Sequence, residues 1–581
     1  MTAEVAAVAV TAVVTVLIGA FGVRASRTTS DFYVASRAVT PWWNASAIGG
    51  EYLSAASFLG VAGLVLAYGA DMLWFPVGYT AGYLMLLVLV AAPLRRSGAY
   101  TLPDFAEARL ESTVARRTAS VLVVTIGWLY LLPQFQAAGL TLRTVTGAPA
   151  WVGPLVIAAV VLVSVLGGGM RSITFVQAFQ YWLKLTALAV PVVFLLLTWH
   201  DDGRPEVAPP EQPVFEETTT VEVTTDVTIE VPERVTVDVD GTLAGEERDG
   251  PVVVPPGDVD VAAGTELVFP EGARLPHASR LTPLSGEAWA LPLRSGDEHP
   301  LYSTYSLILA LFFGTMGLPH VLVRFYTNPD GRAARRTTLA VLGLLSIFYV
   351  LPAVYGALGR LYTPELLLTG RTDAVVLVLP GRLVEGALGD ALSALVTAGA
   401  FAAFLSTSSG LTVSVAGVLS QDLLRTRIRH PVTGFRVGAG LALVVPILLA
   451  LSSPLLGIAD VVGLAFAVAA SSFCPLLLLG IWWRRLTWPG AVAGLVTGGG
   501  TSTVAVLATI VAGPQDGWPG ALLSQPAAWT MPLAFAVMVI VSLSTPRHRA
   551  PGVDRLMVRL HTPENLELNR GDWDPEDRWR D

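Results

Sequence analysis

Apolar residues run along this chain in blocks of about twenty or more, long enough to cross the hydrocarbon core of a bilayer as a helix. Blocks at 4–23, 42–67, 72–94, 118–142, 150–168, 174–198, 303–325, 337–358, 388–420, 434–452, 455–483, 488–512 and 527–544 predict thirteen spans. One segment, 199–302, breaks the series. Within it, "TTTVEVTTDVTIEVPERVTVDVD" alternates apolar and polar positions and is rich in β-branched residues, the signature of half-buried strands. "PVVVPPGDVDVAAGTELVFPEG" places turn residues between further short strands. The pattern predicts an all-α polytopic membrane protein carrying one small β-rich insert; a disordered acidic loop is the blander alternative.

Three blocks do not read as plain lipid-facing helices. "GGEYLSAASFLG" (49–60) puts Glu51, Ser54 and Ser57 inside an apolar run, beside Gly49 and Gly50. A carboxylate at membrane depth costs several kcal/mol unless it meets a partner or a cavity. Non-helical backbone survives there only where it lines protein or water. Close helix packing explains Gly49, Gly50 and Ala55, but it leaves Glu51 unexplained. "FFGTMGLPHVLVRF" (312–325) sets Gly314, Gly317 and Pro319 within seven residues, with Thr315 and His320 among them. Pro319 alone would give a kink. Two such breaks in distant spans predict the paired discontinuous helices of a transporter. Their polar and flanking residues, Glu51, Tyr52, Ser54, Ser57, Thr315 and Gly317, are the candidate substrate-binding set. In "GAFAAFLSTSSGLTVSVAG" (399–417), Ala403, Ser406 and Thr407 share one helical face. A freed carbonyl and two hydroxyls there would supply hard oxygen ligands for a cation. Taken alone, back-bonding of Ser and Thr to the preceding turn explains them as well.

Composition sharpens the membrane reading. Of 581 residues, 53% are hydrophobic and 14% charged, against about a quarter charged in soluble proteins. Residues 201–299 hold 22 acidic residues and 6 arginines, whereas the remainder is mildly basic. Arginines mark one side of the membrane: Arg24, Arg27 and Arg37; Arg95, Arg96, Arg109, Arg116 and Arg117; Arg332, Arg335 and Arg336; Arg425, Arg427 and Arg429; Arg484 and Arg485. Connections near 68–71 and 513–526, on the other side, have none, and 359–387, with Arg360, Arg371 and Arg382, is the exception. This predicts a plasma-membrane protein with an external N-terminus. Its organisation is 1–198 membrane, 199–302 extracytoplasmic insert, 303–545 membrane and 546–581 cytoplasmic tail. Residues 4–23 lack a basic n-region and an A-x-A exit, so they predict a retained span.

Other chemistry is sparse. Lysine occurs once, as Lys184, and cysteine once, as Cys474, which excludes an intrachain disulfide or a cysteine metal cluster. His200 and His320 are isolated, and no His, Cys and Asp cluster has catalytic spacing. The expectation is a non-enzyme with no cofactor beyond a coupling ion and no nucleic-acid partner; its partners are a small solute and the lipid bilayer. A sensory protein reporting to a kinase would need a longer cytoplasmic module than 546–581.

Taken together, these segments resemble the sodium:solute symporter family, and within it the cation/acetate symporters, the short-chain monocarboxylate permeases. The resemblance rests on "DFYVASRAVTPWWNASAIGGEYLSAASFLG" at 31–60, "FFGTMGLPHVLVRFYTNPDGRAARR" at 312–336 and "GLAFAVAASSFCPLLLLGIWWRRLTWPGAVAG" at 463–494. "GGGMRSITFVQAFQ" at 167–180 is similar to the family's cytoplasmic Gly-rich turn. It spans nearly all the apolar blocks and omits 204–300. It implies two inverted five-helix repeats of the LeuT type, 42–198 and 303–483, each opened by an interrupted helix. It also implies a sodium site built from Gly50, Leu53, Ala403, Ser406 and Thr407. The apolar walls, with Phe58 and Phe313, fit a small carboxylate such as acetate, propionate or pyruvate better than a sugar. Proline or pantothenate on the same fold is the alternative. Glu51 raises the prospect of proton coupling, while Ser406 and Thr407 lean the reading toward sodium.

Overall fold

The computed structural model describes residues 3–23, 39–207, 214–215, 217–223, 225–279, 281, 283–284, 286–293, 298–424, 428, 430–452, 457–513 and 515–564. Arg24, Arg27, Arg37, Arg425, Arg427 and Arg429, together with residues 565–581 of the tail, lie outside them. The membrane body contains α1 (Ala3–Val23), α2 (Pro41–Tyr52), α3 (Val61–Tyr68), α4 (Trp74–Met85), α5 (Thr113–Thr146) and α6 (Val152–Asp201). After the insert come α7 (Pro300–Gly314), α8 (Pro319–Val323), α9 (Gly331–Tyr362), α10 (Gly386–Val418), α11 (Pro431–Ser452), α12 (Ile458–Trp482), the span Trp488–Ala512 and α13 (Ala527–Ser544).

Among the described residues, eleven helical stretches are long and apolar enough to cross a membrane, against the thirteen blocks read from sequence. The difference has two local causes. The first interrupted block divides at its break, and its second half joins the next block into one apolar stretch, Ala56–Ser97. Within that stretch the chain turns at Gly69, whose φ of +70° suits a residue without a Cβ. The fifth block is short, Val152–Leu166, and shares one helical element with the sixth. The two ends of that element meet the same side of the body. Gly153 abuts Gly139 near the end of α5, and Asp202 accepts from Tyr362, while Arg371 reaches Thr144 at that same end. Ser172 instead meets Gly19 at the far end of α1.

Among its described residues the insert forms seven strands: β1 (Thr219–Val223), β2 (Val227–Val231), β3 (Val235–Leu243), β4 (Glu246–Val254), β5 (Gly257–Val261), β6 (Thr265–Phe269) and β7 (His277–Ala278). Their sheet order is β1-β6-β3-β5-β2-β7, with β4 hydrogen-bonded to β3, and every pairing is antiparallel. Alternation does what its period dictates: Val221, Val223, Ile229, Val231, Val237, Val239, Leu267 and Phe269 turn into one buried core. The chain after the sheet docks on the membrane body. Trp289 donates to the carbonyl of Leu66 (3.2 Å), the Leu284 amide to Ala67 (3.1 Å) and the Leu293 amide to Asp71 (2.9 Å). Arg360 lies over the Trp289 ring and donates to Leu284, and Arg382 pairs with Glu217. The arginines that break the charge asymmetry thus have protein partners. At the opposite end Arg116 pairs with Asp104, Glu107 and Asp422. The tail is more than a polar extension. Its helix Val553–His561 packs there, Arg559 donating to the Arg96 carbonyl and Arg96 to that of Leu560.

Candidate functional site

The first interruption lies where α2 ends. Leu53 adopts φ −72°, ψ 86° and Ser54 is non-helical before the chain resumes in a wide π turn, Ala56–Gly60. The second lies between α7 and α8. Thr315–Gly317 tighten into a 3₁₀ turn and Leu318 is extended, as the residue before a proline is forced to be. Pro319 then starts α8, where a missing N–H costs nothing. The breaks touch: the Tyr52 hydroxyl lies 3.0 Å from Thr315 Oγ1.

Interrupting a helix frees backbone groups, and at membrane depth each needs a partner. The Ala55 amide donates to Gln134 Oε1 (3.0 Å). The Glu51 carbonyl accepts from Thr407 Oγ1 on α10 (2.7 Å). The carbonyls of Gly50 and Leu53 both accept from Lys184 Nζ on α6, the latter at 2.7 Å. The third Lys184 hydrogen goes to Ser406 Oγ (2.7 Å), which in turn donates to the Ala403 carbonyl (3.0 Å). All five residues proposed for a cation therefore surround one point between α2, α6 and α10.

Behind this cluster sits an ion pair. Arg324 Nε donates to Glu51 Oε2 at 2.7 Å, and both side chains are only 1% exposed. Arg324 also donates to Thr174 Oγ1 (2.8 Å) and to Gln177 Oε1, while Gln177 Nε2 donates to the Ser406 carbonyl (2.8 Å). Glu51 is accommodated by pairing. Two glycines make the room: a Cβ on Gly410 would fall 1.9 Å from the Glu51 carboxylate, and one on Gly50 would fall 2.1 Å from the Gln177 carbonyl. Gly49 and Gly50 thus do serve close helix packing, against Tyr181 and Gln177.

The other face of the breaks is aromatic. Tyr52 stacks edge-on with Tyr83 (centroids 4.8 Å) and Tyr79 (5.9 Å); Phe466 meets Tyr79 and Tyr130, and Tyr130 meets His320. Ser57 bonds the Tyr349 hydroxyl (2.9 Å). The hydroxyls of Tyr79 and Tyr83 and both ring nitrogens of His320 are buried without a hydrogen-bond partner. Such groups are rare in folded proteins, and each calls for a partner such as a water or a bound solute. Of the candidate substrate residues, Tyr52 and Thr315 face one another here and Ser57 lies nearby. Glu51 points instead to Arg324, and Gly317 abuts the Ala469 carbonyl on α12.

A model of the sodium:solute symporter family matches residues 32–208 and 294–498. The chain belongs to that family. The matched residues leave out the segment that contains the sheet. An uncharacterized symporter of Cupriavidus necator is 31% identical over 91% of this chain and 90% of its own length. One from Bacillus subtilis is 29% identical over 90% of each. Among solved structures, a Na⁺-coupled sialic acid symporter in a substrate-bound outward-open state superposes with a TM-score of 0.59, 13% identity and coverage of 93% of this chain and 98% of that one. Mhp1, a nucleobase-cation-symport-1 family transporter in a closed conformation with bromovinylhydantoin bound, gives a TM-score of 0.50, 14% identity and coverage of 92% and 99%. The fold is the inverted-repeat transporter fold of those proteins, and family membership makes this chain a secondary active symporter.

Sequence reading missed Lys184, Gln177 and Arg324 around the first break, as well as Gln134, Tyr79, Tyr83 and Tyr130. Its signal was present, because a lysine and an arginine inside apolar stretches are functional candidates by default.

Proposed function

We propose that this symporter carries a short-chain monocarboxylate, such as acetate, propionate or pyruvate, across the plasma membrane together with a cation. The observation that carries the reading is the aromatic cluster beside the joined breaks. There the Tyr79 and Tyr83 hydroxyls and the His320 ring are buried and unpartnered beside the Tyr52–Thr315 contact. Phenolic hydroxyls donate to a carboxylate, while the rings around them suit a short apolar tail and offer little to a polyol. Glu51, tied to Arg324, adds no repulsive charge on that side. Transport is alternating access: solute and cation bind one state better than the other, and that difference shifts the population. The N-terminus and the sheet face outward and the tail faces the cytoplasm, in keeping with the arginine asymmetry.

Proteoliposomes loaded with unlabelled acetate should exchange it for labelled acetate outside. Propionate and pyruvate should compete, and proline and pantothenate should not. Tyr83→Phe, which removes one unpartnered hydroxyl, should weaken acetate binding several-fold, about the effect of one polar contact. Exchange of proline with no exchange of acetate would refute the assignment.

A further inference from the structure

We infer that the ammonium of Lys184 is the resident occupant of the oxygen cage that family membership assigns to sodium, so that this chain binds no sodium there. The inference takes up the cation half of the proposed symport, and its test requires no transported solute. An ammonium has three hydrogens and no lone pair. Here the three go to the Gly50 carbonyl, the Leu53 carbonyl and Ser406 Oγ, and Lys184 is fully buried. A sodium ion bound by those oxygens would need the same space. The remaining members of the set are engaged as well: the Ala403 carbonyl accepts from Ser406, and Thr407 Oγ1 donates to the Glu51 carbonyl. The hydrogen-bond direction at Ser406 is consistent, since it accepts from Lys184 and donates onward.

Charge agrees with geometry. The acidic group facing Lys184 is Glu51 of α2, already paired with Arg324. The other helices packed on α6 carry their charges near their ends: Glu4 on α1, Arg116, Arg117 and Arg143 on α5, Arg332, Arg335, Arg336 and Arg360 on α9, Arg382 on the helix Val375–Leu383, Asp390 on α10 and Arg436 on α11. A protonated Lys184 would place its one positive charge where a bound sodium would bring its own. A second cation beside it would meet like-charge repulsion in a low-dielectric interior. The lysine is also held in place by its helix, because α6 packs tightly on α10 at Gly399, where Ala187 leaves no room for a Cβ.

The probe is Na⁺ itself. The thermal midpoint of the purified full chain in detergent is measured in NaCl and in choline chloride of equal ionic strength. The wild type should show no Na⁺-specific shift, whereas Lys184→Ala, which empties the cage and leaves its oxygens, should gain an upward one. Lys184→Met, which refills the space with apolar atoms, should gain none. A Na⁺-specific shift in the wild type that Ser406→Ala removes would overturn the inference, whether or not the alanine variant folds. A folded Lys184→Ala protein indifferent to Na⁺ would overturn the claim that these oxygens form a cation cage. Failure to exchange acetate would refute the monocarboxylate reading and leave these midpoints to decide the cage.

Discussion

The Glu51–Arg324 pair gives the sharpest test of how the broken helix is held. Its atoms are 2.7 Å apart, and neither side chain is more than 1% exposed. In Glu51→Gln the guanidinium stays buried, with only neutral acceptors, Thr174 and Gln177, beside it. Leaving a buried charge without its counter-charge costs about 3–5 kcal/mol. Arg324→Met leaves the carboxylate stranded and belongs in the same range. Replacing both partners, as in Glu51→Gln with Arg324→Met, removes both charges at once, and the remaining cost is the lost bonds to Thr174 and Gln177. Each of those is worth about 1 kcal/mol net. The double variant is therefore expected to be more stable than either single one, with a coupling energy of several kcal/mol. Denaturant or thermal unfolding of the four proteins in one detergent measures it. Singles within about 0.5 kcal/mol of wild type, or effects that simply add, would refute the account.

Gly50→Ala places a methyl group 2.1 Å from the Gln177 carbonyl, so α2 must move off α6; we expect a loss of about 1–3 kcal/mol and of transport, read by unfolding and acetate exchange together. Replacing 216–279 by a short Gly/Ser linker removes the sheet but keeps the docking segment, and should leave uptake measurable. Trp289→Ala, which strips the Leu66 carbonyl of its donor, should harm it more. Cysteines placed singly at Thr219 and Glu567, in a background lacking Cys474, should react with an impermeant reagent on intact cells only at position 219; labelling at 567 would reverse the orientation.

Much of this molecule is written locally. Apolar blocks longer than a bilayer requires, strands alternating with period two around Val221 or Val237, and breaks announced by Gly314, Gly317 and Pro319 all depend on near neighbours, and all are legible before any fold exists. The cluster around Lys184 was half legible, because Ser406 and Thr407 share a face whatever surrounds them. What fills that cluster was not. Lys184 meets Gly50 and Leu53 across more than a hundred residues, and Glu51 finds Arg324 across more than two hundred. A buried carbonyl or carboxylate in a membrane must be satisfied, and the sequence shows that need plainly in "GGEYLSAAS". It does not say which of many distant donors will arrive. That is decided by the crossing of α2, α6 and α10, where side chains far apart along the chain are brought within hydrogen-bonding reach and water is excluded.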